Sequence, residues 1–216
     1  MSKINPKEEL ASIRNMMEKS SKFSNLSGLS IFFTGLLTII AASVIYFDIG
    51  FSYSDVEISY SQLINNEGSK ENLEQKIRLL SLIASVILIL SLLILYVTAS
   101  KKTKKEGIKL FNPTFKRTAR SLVVPLVSGG VFSFFLIYNH MYGLVAPATL
   151  IFYGLGLIAA SRNSYDELEV LGYVELVLGI LASYFMGAGL LFWVIGFGLG
   201  HMFFGSYLHF KYDKAS

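Results

Sequence analysis

Two ionisable side chains interrupt apolar runs late in the sequence, Glu175 in residues 168–185 and His201 in residues 189–208. A carboxylate beside an imidazole can pass or sense a proton, because the histidine ring titrates near neutrality. The same pair can also do nothing more than clamp two helices, each group satisfying the other away from water. Glu175 falls roughly 10 Å into its run at 1.5 Å per helical residue, and His201 stands twelve residues into the next. A tight hairpin at 186–188 reverses the chain between them, so the two groups arrive at similar depth. Glu175 and His201 are therefore the candidate polar pair, read first as a clamp and alternatively as a proton-handling or solute-handling site.

Other chemistry is largely excluded. The chain has no cysteine, which removes disulfides, thiolate metal sites and cysteine nucleophiles together. His140, beside Asn139, and His209 sit near run ends, and no two histidines share a helix face at metal-ligand spacing. The expectation is therefore no metal, no cofactor and no assigned catalytic residue.

The elements that must position the pair are transmembrane helices. Hydrophobic residues make up 53% of the 216 and charged residues 16%, well below the quarter or so usual in soluble domains. The apolar residues form runs near the ~20 residues needed to cross a bilayer, at 26–47, 79–99, 121–138, 142–160, 168–185 and 189–208. The expected fold is an all-α membrane protein, a bundle of six transmembrane helices in a domain spanning 26–208. The first run is too long for a signal-peptide core and is read as a retained helix. The third and fifth are short.

Orientation follows from the basic residues, which accumulate in cytoplasmic loops. Lys3, Lys7, Arg14, Lys19 and Lys22 precede the first run, and Lys101, Lys102, Lys104, Lys105, Lys109, Lys116, Arg117 and Arg120 fill the loop 101–120. With Arg162, Lys211 and Lys214, all but three of the 19 basic residues lie on one side. The segment 48–78, an outer cap, holds the other three among Asp48, Asp55, Glu57, Glu67, Glu71 and Glu74. Both termini are thus expected in the cytoplasm, with 209–216 a short tail and the inner membrane of a bacterium as the location. The net charge of +4 comes from patches flanking apolar runs, which points to anionic lipid at the cytoplasmic face rather than to nucleic acid.

Ahead of the first run, Asn5, Pro6 and Glu8 resemble a capping box with proline at the first helical position. Leu10, Ile13 and Met17 then share a face, so residues 1–25 are expected to form a cytoplasmic amphipathic helix. In the outer segment a helix is expected from Ser69 into the second run. Gly196 and Gly200 form a Gly-x-x-x-Gly pair, Gly172 and Gly179 lie two turns apart, and Thr34, Gly35, Thr38 and Ala42 line one face. These small residues let helices approach, within the bundle or in a homo-oligomer or with a membrane partner. Pro125 and Pro147 are placed near the starts of their runs, where a missing N–H matters least. Tyr138, Tyr142, Trp193, Tyr207 and Tyr212 lie near run ends, as an interfacial belt requires.

Three resemblances bear on function. Leu126-Val127-Ser128-Gly129-Gly130 resembles the Gly-x-Ser-Gly turn of rhomboid intramembrane proteases, which would pair Ser128 with His201. It departs from that pattern at Leu126, where the first glycine should stand, and at the spacing after His201. The run 143–155, the Leu171-Gly172-Tyr173-x-Glu175 segment and the stretch 189–198 together resemble an uncharacterised family of bacterial six-span inner-membrane proteins. That likeness covers nearly the whole chain and implies the six-span fold without an activity. The last hairpin is also similar, at low specificity, to acid-resistance membrane proteins of the HdeD type. The function expected is that of a non-enzymatic structural or regulatory membrane protein, with transport of a small solute or proton through the Glu175 and His201 region as the alternative.

Overall fold

Leucine, isoleucine, valine and phenylalanine in unbroken runs leave the backbone to pair with itself, and helices result. The computed structural model describes residues 27–48, 67–105, 107 and 110–213. The amphipathic helix expected in 1–25, most of the outer cap 48–78 and residues 214–216 lie outside the described residues. Within them every regular element is helical: α1 (Gly28–Asp48), α2 (Glu67–Lys105), α3 (Pro113–Tyr138), α4 (Val145–Ser161) and α5 (Glu167–Tyr184). A final rod follows, made of α6 (Gly189–Trp193), a π-helical stretch Val194–Gly200, α7 (His201–Leu208) and a second π-helical turn His209–Asp213.

Among the described residues five helical segments are long and apolar enough to cross a membrane: Gly28–Ile45, Gln75–Lys105, Pro113–Tyr138, Tyr142–Ser161 and Gly189–Asp213. The remaining expected span, 168–185, is also a helix. Glu167, Glu169 and Glu175 put three carboxylates into the 18 residues of α5, and this composition sets it apart from the other five.

Helix α3 corrects two sequence expectations. It starts at Pro113 rather than near 121, because Asn112 caps it. The Asn112 Oδ1 accepts the Phe115 N–H at 2.7 Å and Pro113 takes a first-turn position where its missing donor is harmless. Pro125 consequently lies inside the helix, not near its start, and denies the carbonyl four residues earlier its usual donor. The basic segment 101–120 is also mostly helix: Lys101, Lys102, Lys104 and Lys105 end α2, while Lys116, Arg117 and Arg120 lie in the opening turns of α3. Pro147, third residue of α4, does sit at a helix start.

The core is built by α1, α4, α5 and α7, whose Ile31, Leu157, Leu168, Leu171, Phe204 and Leu208 pack with Tyr165. Small residues set the spacing. A Cβ on Gly154 of α4 would stand 2.7 Å from the Gly172 carbonyl of α5, so these helices approach at backbone distance. A Cβ on Gly35 of α1 would stand 2.6 Å from the Gly198 carbonyl. The Thr34, Thr38 and Ala42 face of α1 is buried, with α1 packed against the final rod. Thr34 and Thr38 return their hydroxyls to the carbonyls of Ile31 and Thr34, which leaves that face without unpaired hydroxyls.

Polar contacts gather at one end of the bundle. Asp213 accepts from the Gly28 N–H at 2.9 Å, the Ser27 hydroxyl at 3.1 Å and Lys102 Nζ at 3.2 Å. Glu167 accepts from Lys211 and from the Tyr212 hydroxyl. The Thr118 hydroxyl donates to the Asn163 carbonyl at 3.1 Å. The start of α1, the end of α2, the start of α3, the α4–α5 turn and the end of the rod are therefore tied together. At the opposite end the turns Tyr142–Leu144 and Met186–Ala188 lie against each other.

Candidate functional site

The approach of α5 to the π-helical stretch creates the site. Glycine at 196 removes the side chain that would keep the rod off α5, and the Glu175 carboxyl occupies the space: a Cβ on Gly196 would overlap Glu175 Oε2 and lie 2.9 Å from Leu150 Cδ2. Glu175 is 0% exposed. Gly200 faces the same side more loosely: a Cβ there would lie 3.6 Å from Leu171 Cδ1 and 3.9 Å from Glu175 Oε1. Gly172 and Gly179 of α5 face α4, against Gly154 and Ile158 and against Ile151. All four glycines singled out in the sequence thus pack inside the bundle.

The structure brings Glu175 and His201 together, with His201 Nδ1 3.5 Å from Glu175 Oε1. That distance is beyond a good hydrogen bond. The ring instead makes two other contacts: Nδ1 lies 3.1 Å from the Gly196 carbonyl and Nε2 lies 2.7 Å from the Tyr153 hydroxyl. A carbonyl only accepts, so Nδ1 carries the hydrogen. In the neutral ring Nε2 is then the acceptor, and Tyr153 donates to it. Both Glu175 oxygens are buried with no hydrogen-bond partner among the described residues. As a clamp the pair is incomplete: the histidine is satisfied and the carboxyl is not.

Aromatic rings wall the site. Tyr153 stacks on His201 with centroids 5.4 Å apart, Phe197 lies 5.0 Å from Tyr153 and 5.8 Å from His201, and Trp193 lies 5.3 Å from Phe197. Trp193 begins where α6 gives way to the π-helical stretch, and π-helical insertions of this kind recur at functional sites. The sequence reading missed Tyr153. Its signal was position: a tyrosine in mid-run, where interfacial tyrosines do not sit.

Ser128 does not join this group. It is exposed on α3, while its neighbour Gly129 packs against Phe152 of α4. Both His201 nitrogens are occupied by Tyr153 and Gly196, so the histidine is not arranged as a base for that serine. His140 pairs with the Tyr142 hydroxyl at 2.7 Å in the Tyr138–Tyr142 turn, and His209 Nδ1 lies 3.3 Å from Asp213. Among the described residues no group of three or more His, Asp or Glu side chains is placed to hold a metal.

Outside the apolar spans, Glu167 opens α5 and its carboxyl is shifted below the ordinary glutamate range. Burial acts upward on it, but the Lys211 hydrogen bond, backbone hydrogen bonding and the Tyr212 hydroxyl together outweigh burial. No protein-family model matches the chain, and no curated protein or solved structure matches it.

Proposed function

We infer that this chain is a multi-pass membrane protein of six spans with both termini cytoplasmic, and that Glu175, with His201 and Tyr153, is an intramembrane station for a proton or small solute. Five apolar helices and the intervening α5 support the count. Glu167 and Glu169 lie in the first turn of α5, within reach of headgroups, which leaves Glu175 as its one deep carboxylate. The end that gathers Lys102, Asn163, Glu167, Lys211 and Asp213 is also the end carrying the basic residues, and the positive-inside rule assigns it to the cytoplasm of a bacterial inner membrane. The lysines and arginines of 101–120 then meet anionic headgroups. The outward apolar residues of α2 and α3, among them Ile89, Leu93, Val127 and Phe135, face lipid tails.

One observation carries the functional part: a fully buried carboxyl, both oxygens without a hydrogen-bond partner among the described residues, beside an aromatic wall. Ionisable groups within spans are expensive and mark pathways or sites more often than packing. The test is flux of protons and small solutes in vesicles reconstituted with the full chain, wild type against Glu175→Gln. Flux that collapses in the variant supports the station; equal flux in both removes it. A second reading, a structural or regulatory bundle that acts through partners, draws on the glycine contacts that lock α4 to α5 and α1 to the rod. It predicts no flux from either protein.

A further inference from the structure

We propose that the occupant of Glu175 is a proton, and that its arrival and departure move the His201 Nδ1–H between the Gly196 carbonyl and Glu175, switching the register of the π-helical stretch. The proposal rests on the reading of Glu175 as a station and names what it takes and what that does.

Space selects the ligand. The carboxyl is fully enclosed, Oε2 fills the volume a Cβ on Gly196 would need, and the fully buried Leu150 stands alongside. A hydrated cation or an organic solute would have to part α5 from the rod. A proton adds to a carboxylate oxygen without displacing any atom. In net terms the carboxylate gains one O–H bond and a hydronium in bulk water becomes water, with the reverse on release.

The switch follows from one donor facing two acceptors. The titratable groups facing Glu175 are His201 from the rod and Tyr153 from α4. Tyr153, by donating to Nε2, fixes the ring tautomer with its hydrogen on Nδ1, and so acts as a positioning residue. With the carboxyl protonated, Nδ1–H serves the Gly196 carbonyl, the arrangement seen here at 3.1 Å. With the carboxyl charged, the same N–H has the stronger acceptor 3.5 Å away. Its departure frees the Gly196 carbonyl, which in the α register would accept from the Gly200 N–H. The ring thus favours the π register by giving the Gly196 carbonyl a donor that an α turn would otherwise have to supply. The downstream half of the rod is pinned on α1, where Gly205 meets Gly28 and Phe32 at backbone distance. The half that rotates is α6, which carries Trp193.

Trp193 is the only tryptophan in the chain and its ring lies tilted against Phe197 at the hinge, so its emission reads the switch directly. Purified full-length protein in detergent is titrated from acid to alkaline pH while Trp193 emission is recorded. The expected result is a single-proton transition in wild type, its loss in Glu175→Gln, and its return at a shifted midpoint in Glu175→Asp. Tyr153→Phe should broaden or displace the midpoint, since the tautomer is no longer fixed. Backbone amide exchange at Val194–Gly200 should change across the same transition. An unchanged transition in Glu175→Gln with unaltered helical content, or a wild-type protein whose Trp193 emission and 194–200 exchange are both flat with pH, overturns the proposal. The outcome is separable from that of the transport reading. A titrating Trp193 without flux leaves a proton sensor, and Glu175-dependent flux with a silent Trp193 leaves a pathway without this switch.

Discussion

Replacing Glu175 with methionine should make the protein more stable and abolish the flux proposed for it. The carboxyl holds two buried oxygens without hydrogen-bond partners among the described residues, and a buried polar group left unsatisfied costs about 1–3 kcal/mol. Methionine is unbranched, near in size and adaptable in shape, and size-conserving swaps in a packed interior cost less than about 1.5 kcal/mol. Counting the carboxyl as a single group, the balance favours Glu175→Met by roughly 1–2 kcal/mol. For a chain of this length each kcal/mol moves the midpoint by about 2–4 °C, so the variant should melt several degrees higher. The assay is thermal unfolding of purified protein in one detergent, with Glu175→Gln as the polar control of the same shape, alongside vesicle flux. If Glu175→Met instead melted lower than both wild type and Glu175→Gln, the carboxyl would be satisfied in place and the pair would be a true clamp. Gain of stability with loss of activity is the signature expected of a site kept for function.

Two further outcomes follow from neighbouring geometry. Gly196→Ala alone should lower stability by about 1–3 kcal/mol through overpacking, and most of that loss should vanish in the Gly196→Ala, Glu175→Ala double variant, because the Glu175 oxygens that the new methyl would overlap are gone; additive losses in the melting series would contradict the placement of the carboxyl against Gly196. Glu167, whose folded-state pKa lies below its ordinary value of 4.5, contributes stability that is fully present above that value and is lost as pH falls through the lower folded value. Glu167→Gln should therefore melt below wild type at neutral pH, and the two curves should converge in acid below about pH 4.5.

The legible part of this molecule is whatever depends on runs of side chains. Apolar stretches placed a helix at each of the six expected runs, five of them long and apolar enough to cross a membrane, and two ionisable residues among greasy neighbours placed the Glu175 and His201 pair. What escaped depends on single contacts. Asn112 followed by Pro113 is a helix start that was hidden inside a basic cluster, and overlooking it put Pro125 at the wrong place in α3. Gly196 and Gly200 were read as a packing motif, yet the same glycines accompany a change of helical register that no periodicity argument reveals. Tyr153 was one of 12 tyrosines until the fold set its hydroxyl on His201. The unpartnered state of the Glu175 oxygens is a property of distances and cannot be written in composition.

The clasp at Asp213 bears on the order in which the molecule can be made. Ser27 and Gly28, at the start of the first described helix, find this partner 186 and 185 residues later along the chain, and the threonine and glycine face of α1 meets its mate only in the final rod. During synthesis α1 must enter the bilayer and wait, its small-residue face turned to lipid or to some passing helix, until the last span follows. The α3–α4 and α4–α5 hairpins can assemble as soon as they emerge, but the bundle closes in one late event. Loss of a few residues after Leu208 would leave the glycine contacts of α1 with the rod in place and take away the Asp213 clasp on its first turn.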